Sequence, residues 1–493
     1  VDPGTMSPLV HGEVFVTQDG AETDLDLGHY ERVLGVHLTR DSSVSSGQIY
    51  QEILDGERTG KFLGRCIQVV PHVVDAIKNR LFNFALKEKT DFILIEIGGT
   101  VGDMEGLPFF EAIRQIKMEL GRNKLMHCHL SYVPHLPWTG ETKTKPTQHS
   151  VVALKTAGLT PDALFLRSEK GISESAMKKL SMMCEVERNL IFQVLTFKPS
   201  WQLFFALQDQ KVNERIQEWF GIRKIKKANL NKWLKLLDII KDSKKGIKIG
   251  LVAKYVGSND PYISIVQAIK TAGYHYKKDV EIVVIEAEGL EKTGYNGTSA
   301  SWKQLKSVDG IVIPGGFDAR GVKGKIFAAR YAREKKIPFL GLCLGMQIML
   351  IEFARDVLKL KGASSTEFDK ETKYPVISLL EEQKGVRAKG GTMRLGAYPC
   401  TVLPKTLAYK AYKKDLVKER HRHRYEFNNK FKEMFEKKGV VFSGIYKAKN
   451  LVEIAEIKNH PFMVGTQFHP EFKSYPITSH PLFDLFMKAV IKK

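Results

Sequence analysis

The alternation of apolar and polar positions divides the chain into three stretches. In residues 1–222, short apolar runs alternate with segments of helical spacing. Phe92 to Ile97 is a nearly continuous apolar run that stops at Gly98-Gly99, the pattern of a parallel strand buried on both faces. Pro108 to Leu120 then repeats apolar residues at helical spacing. Such βαβα alternation predicts an α/β domain around a parallel sheet. Residues 223–245 differ, with nine Lys or Arg against two acids, Asp238 and Asp242. Asn229 is placed to cap a helix whose apolar face is Leu230, Trp233, Leu234, Leu237 and Ile240, which predicts an amphipathic linker. Residues 246–493 restart with strand-like Ile247–Ala253, then Gly310–Ile313, then Ile337–Leu342 running into a helix from Leu344. The pattern predicts two parallel-sheet α/β domains joined by a basic helix.

The strongest local signal lies where the third of those strands meets its helix, at Gly341-Leu342-Cys343-Leu344-Gly345. This is G-x-C-x-G, the cysteine form of a nucleophile elbow. Glycines let the backbone turn sharply, and the helix N-terminus favours a thiolate. Near the C-terminus, Phe468-His469-Pro470-Glu471-Phe472 follows the apolar strand Phe462–Val464. In an extended segment His469 and Glu471 project to one side, so Glu471 can orient His469 and His469 can deprotonate Cys343. Upstream, Ile313-Pro314-Gly315-Gly316-Phe317 ends another strand. Its glycine amides, Gly316 above all, can join the amide of Leu344 around a developing oxyanion.

Composition narrows the remaining options. The chain has 493 residues with a net charge of +21, a balance that suits anionic partners: nucleic acid, a membrane surface or phosphorylated small molecules. A Lys-rich bias spread over the surface accounts for it equally well. No apolar run reaches the ~18 residues of a membrane span. The longest, Phe339 to Ala354, is interrupted by Gln347 and Glu352. Five cysteines without a CxxC pair, and no signal peptide, point to a reducing cytoplasm. The sequence opens at Val1 without an initiator Met and reads as the middle of a domain.

The G-x-C-x-G, P-G-G and H-P-E runs, in their order, resemble class I glutamine amidotransferases, which hydrolyse glutamine through a γ-glutamyl thioester. The resemblance implies a Cys343–His469–Glu471 triad. Further runs are Glu22-Thr-Asp-Leu-Asp-Leu-Gly-His29-Tyr-Glu-Arg32, Glu96-Ile-Gly-Gly-Thr-Val-Gly-Asp103, Lys143-Thr-Lys-Pro-Thr-Gln-His149, Gly390-Gly-Thr-Met-Arg-Leu-Gly396 and Glu419-Arg-His-Arg-His-Arg-Tyr-Glu426. Together these resemble the CTP synthase family, over nearly the whole chain. That family aminates UTP to CTP with ATP and glutamine, on a P-loop-like amidoligase domain followed by the amidotransferase domain. The resemblance implies domains at 1–222 and 246–493, with 223–245 as linker.

It also implies roles for single residues. Asp26 and Glu96 are carboxylates suited to Mg²⁺ on ATP phosphates, and Arg167 matches a residue near the adenine. Lys143, Thr144, Lys145, Pro146, Thr147 and Gln148, with Lys179, match UTP contacts; Asp103, Met104 and Glu105 match a segment that binds the cytidine of the product. Glu367 and Arg424 match residues that hold the amino and carboxylate groups of glutamine. His11 and Val14 match the entrance of an ammonia channel. Taken without the resemblance, Lys143-Thr-Lys145 and the Arg/His run read as solvated basic loops. The family is a homotetramer, so nucleotides and a tetramer are the expected partners, without membrane or specific nucleic acid.

Three departures from the family stand out. An opening strand and glycine-rich phosphate loop are expected ahead of Val1, which predicts a chain lacking its ATP clamp and keeping only its glutaminase half active. The stretch Val194–Trp201 lacks the family's acid near the adenine. Lys384–Gly390 is a short version of a lid linked to GTP activation. A stand-alone glutaminase-type hydrolase and a non-catalytic oligomerising partner are the competing readings.

Overall fold

The computed structural model describes residues 6, 8–254, 260–380, 383 and 392–492. The expected GTP-linked lid, Lys384–Gly390, therefore lies outside the described residues. The chain forms two compact units. The first is Val44–Leu237; the second takes in the described parts of Pro3–Ser43 and of Asp238–Lys493. The sequence boundary at residue 222 does not capture this division, because residues up to Ser43 pack with the C-terminal unit.

In that opening segment, β1 (Phe15–Val16) and β2 (Glu22–Thr23) form a small antiparallel ladder, followed by α1 (Leu25–Leu34). The first unit contains α2 (Leu107–Leu120), β3 (Cys128–Tyr132), α3 (Lys145–Thr156), β4 (Ala163–Ser168), α4 (Glu174–Cys184), β5 (Ile191–Leu195) and α5 (Gln202–Asp209). Its sheet is parallel, in the order β3-β4-β5. Phe92–Ile97, expected as a buried strand, forms no strand and pairs with none among the described residues, and Leu94 is 93% exposed. An apolar run becomes a ladder strand only where a neighbour supplies hydrogen bonds, and periodicity carries no information about that neighbour.

The basic helix forms as α6 (Asn231–Asp242), and Asn229 Oδ1 accepts from the Asn231 amide at 3.1 Å. Its buried face is Trp233 and Leu236, while Leu234 is exposed, so the face is rotated from the expected one. Trp233 sets that rotation by packing on Trp201 and Phe204, with ring centroids 5.0 and 4.7 Å away.

The second unit is built on β6 (Lys244–Ala253), α7 (Ile263–His275), β7 (Lys278–Glu286), β8 (Gly310–Ile313), α8 (Val322–Lys335), β9 (Phe339–Leu342) and α9 (Leu344–Asp356). It continues through β10 (Arg394–Val402), β11 (Leu416–His423), β12 (Val440–Tyr446), β13 (Leu451–Ile457), β14 (Met463–Thr466) and α10 (Pro481–Ile491). Nine strands form one sheet in the order β11-β10-β12-β13-β14-β9-β8-β6-β7. The β14-β9-β8-β6-β7 half is parallel and the other half antiparallel. Helix α9 is buried from Leu344 to Ala354, which explains why it is apolar all round. Its two polar interruptions are satisfied: Gln347 Nε2 donates to Tyr425 O at 3.0 Å, and Glu352 pairs with Arg333 at 2.7 Å.

The Arg/His run is not a solvated loop but strand β11, and its residues alternate between two buried faces as a period-2 element must. Arg420 and Arg422 face the opening segment. Arg420 Nη2 pairs with Glu31 at 2.8 Å, its Nη1 donates to Val16 O at 2.9 Å, and Arg422 Nε pairs with Glu22 at 2.7 Å. His421 and His423 face the other way and bond each other at 2.9 Å. Beside them Arg394 joins Glu426 and Glu453 at 2.8 and 2.7 Å. Burial holds both imidazoles well below their usual range. The opening segment also lies backbone to backbone on β10, with the Ala397 amide donating to Gln18 O at 3.0 Å.

Arg420 and Glu31 are 0% and 1% exposed as side chains, so removing one partner leaves a bare buried charge. Arg420→Met is expected to destabilise the second unit by about 3–5 kcal/mol, and Arg420→Met with Glu31→Gln by clearly less than the two single changes combined. Urea unfolding of the three variants checks this; additive losses would mean the pair is not coupled.

Candidate active site

Strand β9 hands over to α9 at Cys343, which sits at φ 50° and ψ −102°. That conformation costs a residue other than glycine of order 1–3 kcal/mol and persists only when its surroundings hold it. The flanking glycines explain how. A Cβ on Gly341 would lie 2.6 Å from the carbonyl of Gly345, and one on Gly345 would lie 2.1 Å from Ile313 O. Only with both positions bare can helix and strand close on the turn, while the Cys343 amide donates to Thr466 O at 2.7 Å. Leu344, at the first helical position, has no intrahelical acceptor for its N–H.

His469 and Glu471 come together, though not along an extended segment. His469 precedes a 3₁₀ turn over Pro470–Lys473, since Pro470 fixes φ in the turn range. The turn brings Glu471 Oε1 to 2.7 Å from His469 Nδ1, and the His469 amide donates to Arg420 O at 2.8 Å. Burial alone would strip the imidazole of its proton, but Glu471 and Cys343 outweigh it and raise His469 to about 10. His469 Nε2 is buried without a hydrogen-bond partner. The sulfur meanwhile accepts from Gln467 Nε2 at 3.7 Å and donates to Arg422 O at 3.9 Å.

The P-G-G-F loop closes the other side. A Cβ on Gly315 would stand 2.9 Å from His469 Cε1 and 3.7 Å from Cys343 Cβ, so a side chain there would strike the imidazole. A Cβ on Gly316 would approach Leu344 Cδ2 at 3.5 Å, which places Gly316 beside the start of α9. Glu367 accepts from the Asp318 amide at 3.0 Å, and burial pushes its carboxyl up. Arg424 follows β11 directly, donates to Thr392 Oγ1 at 2.9 Å and also meets Gln383. A cavity of about 60 Å³, room for a few water-sized molecules, is lined by Glu13, Val14, Gly315, Gly316, Cys343 and His469 among others. Val14 thus reaches the same cavity as the cysteine; His11, ending the short helix Pro8–His11, is outside its lining. Glu13 fixes this stretch: its carboxylate accepts from the Ser264 amide at 3.0 Å and from Ser264 Oγ, to which Arg32 also donates at 2.7 Å.

Sequence reading assigns no role to Glu13, Glu31, Arg32 or Arg420, although the last three stand in the family-like runs. The strict Arg-His-Arg-His alternation was the available signal for β11. Nothing local marks the acids that answer it.

The remaining candidates are distributed over both units. Thr144 to Gln148 form the start of α3, a helix rather than a loop. Lys145 is exposed at its first turn, and Lys143 pairs with Glu141 at 2.6 Å. Thr147 and Gln148 turn inward: Ser131 Oγ donates to Thr147 Oγ1 at 2.9 Å and Gln148 Nε2 to Thr144 Oγ1 at 3.1 Å. Lys179 is exposed on α4, which packs beside α3. Asp103 accepts from the Thr100 amide at 3.0 Å, and Met104 and Glu105 follow in an exposed turn before α2. Arg167 leaves β4 and donates to Leu195 O at 3.3 Å. Glu96 is exposed in the first unit; Asp26 is exposed in the first turn of α1, where Asp24, not Asp26, is the cap. Among the described residues no three His, Cys, Asp or Glu gather into a metal site, and no helix is long and apolar enough to cross a membrane.

The family description "CTP synthase N-terminus" matches residues 1–222, and "Glutamine amidotransferase class-I" matches residues 259–489. The chain is 49% identical to the CTP synthase of Caldanaerobacter subterraneus subsp. tengcongensis, over 100% of this chain and 90% of that protein. It is 46% identical to the CTP synthase of Halalkalibacterium halodurans, over 100% of this chain and 91% of that one. A solved structure titled Trypanosoma brucei CTPS, glutaminase domain with bound acivicin, is 35% identical with a TM-score of 0.46, covering 50% of this chain and 95% of that one. These two alignments take in the whole of this chain and 90% and 91% of the relatives.

Because the folded value of His469 lies above the ordinary 6.5, the stabilisation it draws from Glu471 is fully present below pH 6.5 and is lost as pH rises toward 10. Glu471→Gln is expected to make His469 release its proton at clearly lower pH, followed by the imidazole resonances in an NMR titration. An unmoved titration would show that Glu471 is not what holds the proton.

Proposed function

The chain belongs to the CTP synthase family of glutamine-hydrolysing ligases, which use ATP, UTP and glutamine, and from that premise we propose how its residues divide the work. By sequence, residues 1–222 are the synthase domain, 223–245 the linker and 246–493 the amidotransferase domain. The observation that carries the reading is the shared cavity, in which Cys343 at its strained elbow, the His469–Glu471 pair and Val14 meet.

Glutamine enters with its amino group toward Glu367 and its carboxylate toward Arg424, an acid and a guanidinium suited to a zwitterion. The Cys343 thiolate adds to the γ-carboxamide carbon, and the carbonyl electron pair moves to oxygen, where the amides of Gly316 and Leu344 receive it. Collapse breaks the carbon–nitrogen bond, and His469 delivers its proton to the departing ammonia. Water then attacks the thioester, His469 takes a proton from it, and glutamate leaves with the thiolate restored. Ammonia departs past Val14 and His11. In the synthase domain, Lys143–Gln148 and Lys179 receive the UTP phosphates, Asp103–Glu105 the pyrimidine nucleoside, and Arg167 the adenine side of ATP.

Asp26 and Glu96 are exposed carboxylates, each a hard oxygen ligand of the kind that would hold Mg²⁺ together with ATP phosphate oxygens and water. When bound, the ion neutralises triphosphate charge. GTP is the proposed activator, a homotetramer the assembly and the cytoplasm the compartment, the last in keeping with five free cysteines.

Cys343→Ser is expected to lower glutamine hydrolysis by on the order of 10³-fold or more while leaving, in the complete enzyme, CTP formation from UTP, ATP and free ammonia. Paired assays of glutamate and CTP check both arms. Retained hydrolysis would remove Cys343 from the mechanism, and loss of the ammonia-driven reaction would show that it acts beyond hydrolysis.

A further inference from the structure

Lys325 is 0% exposed, and among the described residues it forms no ion pair. Burying an ammonium or amine without an acid is costly, and a methionine would fill the same volume without that cost. Among the described residues its one side-chain hydrogen bond runs from Nζ to Pro314 O at 3.4 Å, in the P-G-G-F loop. The neighbouring Lys254, 5% exposed, treats the loop's other end alike: Nζ donates to Phe317 O at 2.7 Å and also to Asp318 O. Two buried lysines thus draw three carbonyls of the loop to one side.

A trans peptide is planar, with its C=O and N–H pointing in opposite directions. If Pro314 O is turned onto Lys325, the Gly315 N–H is turned off it. The lysine side of the loop is marked by Gly316, where an added Cβ would meet Lys325 Nζ at 3.9 Å. The opposite side is marked by Gly315, where it would meet His469 Cε1 at 2.9 Å and Cys343 Cβ at 3.7 Å. Lys325 itself is firmly placed. It stands on the first turn of α8 directly after Gly324, where a Cβ would fall 1.8 Å from Ala287 O and whose amide donates to Glu291 at 2.9 Å. That turn cannot shift without losing its seat.

We infer that Lys325 is a positioning residue for the oxyanion site: its bond to Pro314 O fixes the Pro314–Gly315 peptide so that the Gly315 N–H faces the carbon attacked by Cys343, as a donor alongside Gly316 and Leu344. The inference rests on the glutaminase reading above. Among the described residues the Lys325 ammonium makes no hydrogen bond to the sulfur, although it lies near enough to Cys343 for their charges to interact. It acts only when the carbonyl oxygen becomes anionic, so it governs kcat rather than glutamine binding.

The test uses the full chain with Lys325→Met. Glutamine hydrolysis is expected to lose on the order of tenfold to a hundredfold in kcat, part of what one oxyanion donor supplies, with KM within about twofold. Alkylation of Cys343 by iodoacetamide, a substitution at saturated carbon that forms no oxyanion, is expected to change by far less than kcat, by no more than the loss of one nearby charge brings. A kcat within about threefold of wild type would overturn the inference, as would alkylation falling together with kcat, which would mean the lysine supports the thiolate or the packing. Should Lys325→Met not fold, Lys325→Gln, polar but too short to reach Pro314 O, is read by the same two criteria. Absence of glutaminase activity in the unsubstituted protein would instead refute the underlying glutaminase reading, a distinct outcome.

Discussion

The second unit depends on a pair of opposite charges held out of water, Arg420 and Glu31. A buried guanidinium is tolerated only when its donors are answered, and here a carboxylate, a main-chain carbonyl and Gln18 answer them. Those partners all come from the opening segment, whereas Arg420 lies on a strand some four hundred residues later in the chain. The fold therefore ties the segment carrying Glu13 and Val14 to the sheet that leads into Cys343. The same strand gives its other face to His421 and His423, and its Arg420 carbonyl receives the His469 amide. One strand thus anchors both the opening segment and the backbone of His469.

Around the elbow, backbone sterics and electrostatics serve one end. Gly341 and Gly345 permit a turn that puts the sulfur at a helix start, and Gly315 leaves room for the imidazole. Glu471 keeps that imidazole protonated in a place where burial would otherwise make it neutral. A buried proton of this kind is available to a leaving group in a cavity of about 60 Å³, as the proposed mechanism uses it. Each feature involves a group that would be costly in isolation: a positive-φ cysteine, a buried charged histidine, a buried lysine. They persist because neighbouring elements over-determine them.

Much of this was legible in the sequence, for physical reasons. The elbow, the P-G-G loop and the H-P-E run are short motifs whose residues act on neighbours close in the chain, so spacing reveals them. Strands Gly310–Ile313 and Phe339–Leu342 announce themselves because burial on both faces leaves no polar position. What escaped reading depends on distant partners. Phe92–Ile97 has strand composition but no ladder, α6 is rotated by an aromatic contact from α5's neighbourhood, and β11 resembled a solvated loop because its acids lie elsewhere in the chain. By sequence, residues up to Ser43 go with 1–222, the stretch that the synthase N-terminus description also matches, whereas they pack with the second unit through Glu13, Glu22 and Glu31.

The attachment of that opening segment to the amidotransferase sheet is tested most directly by hydrogen–deuterium exchange on the full chain. If Arg420–Glu31 and Glu13–Ser264 hold the segment as described, amides at Val14 to Val16 and in α1 should be protected to an extent comparable with those of β10 and β11. Exchange of the segment at the rate of an exposed peptide, with β11 still protected, would contradict it.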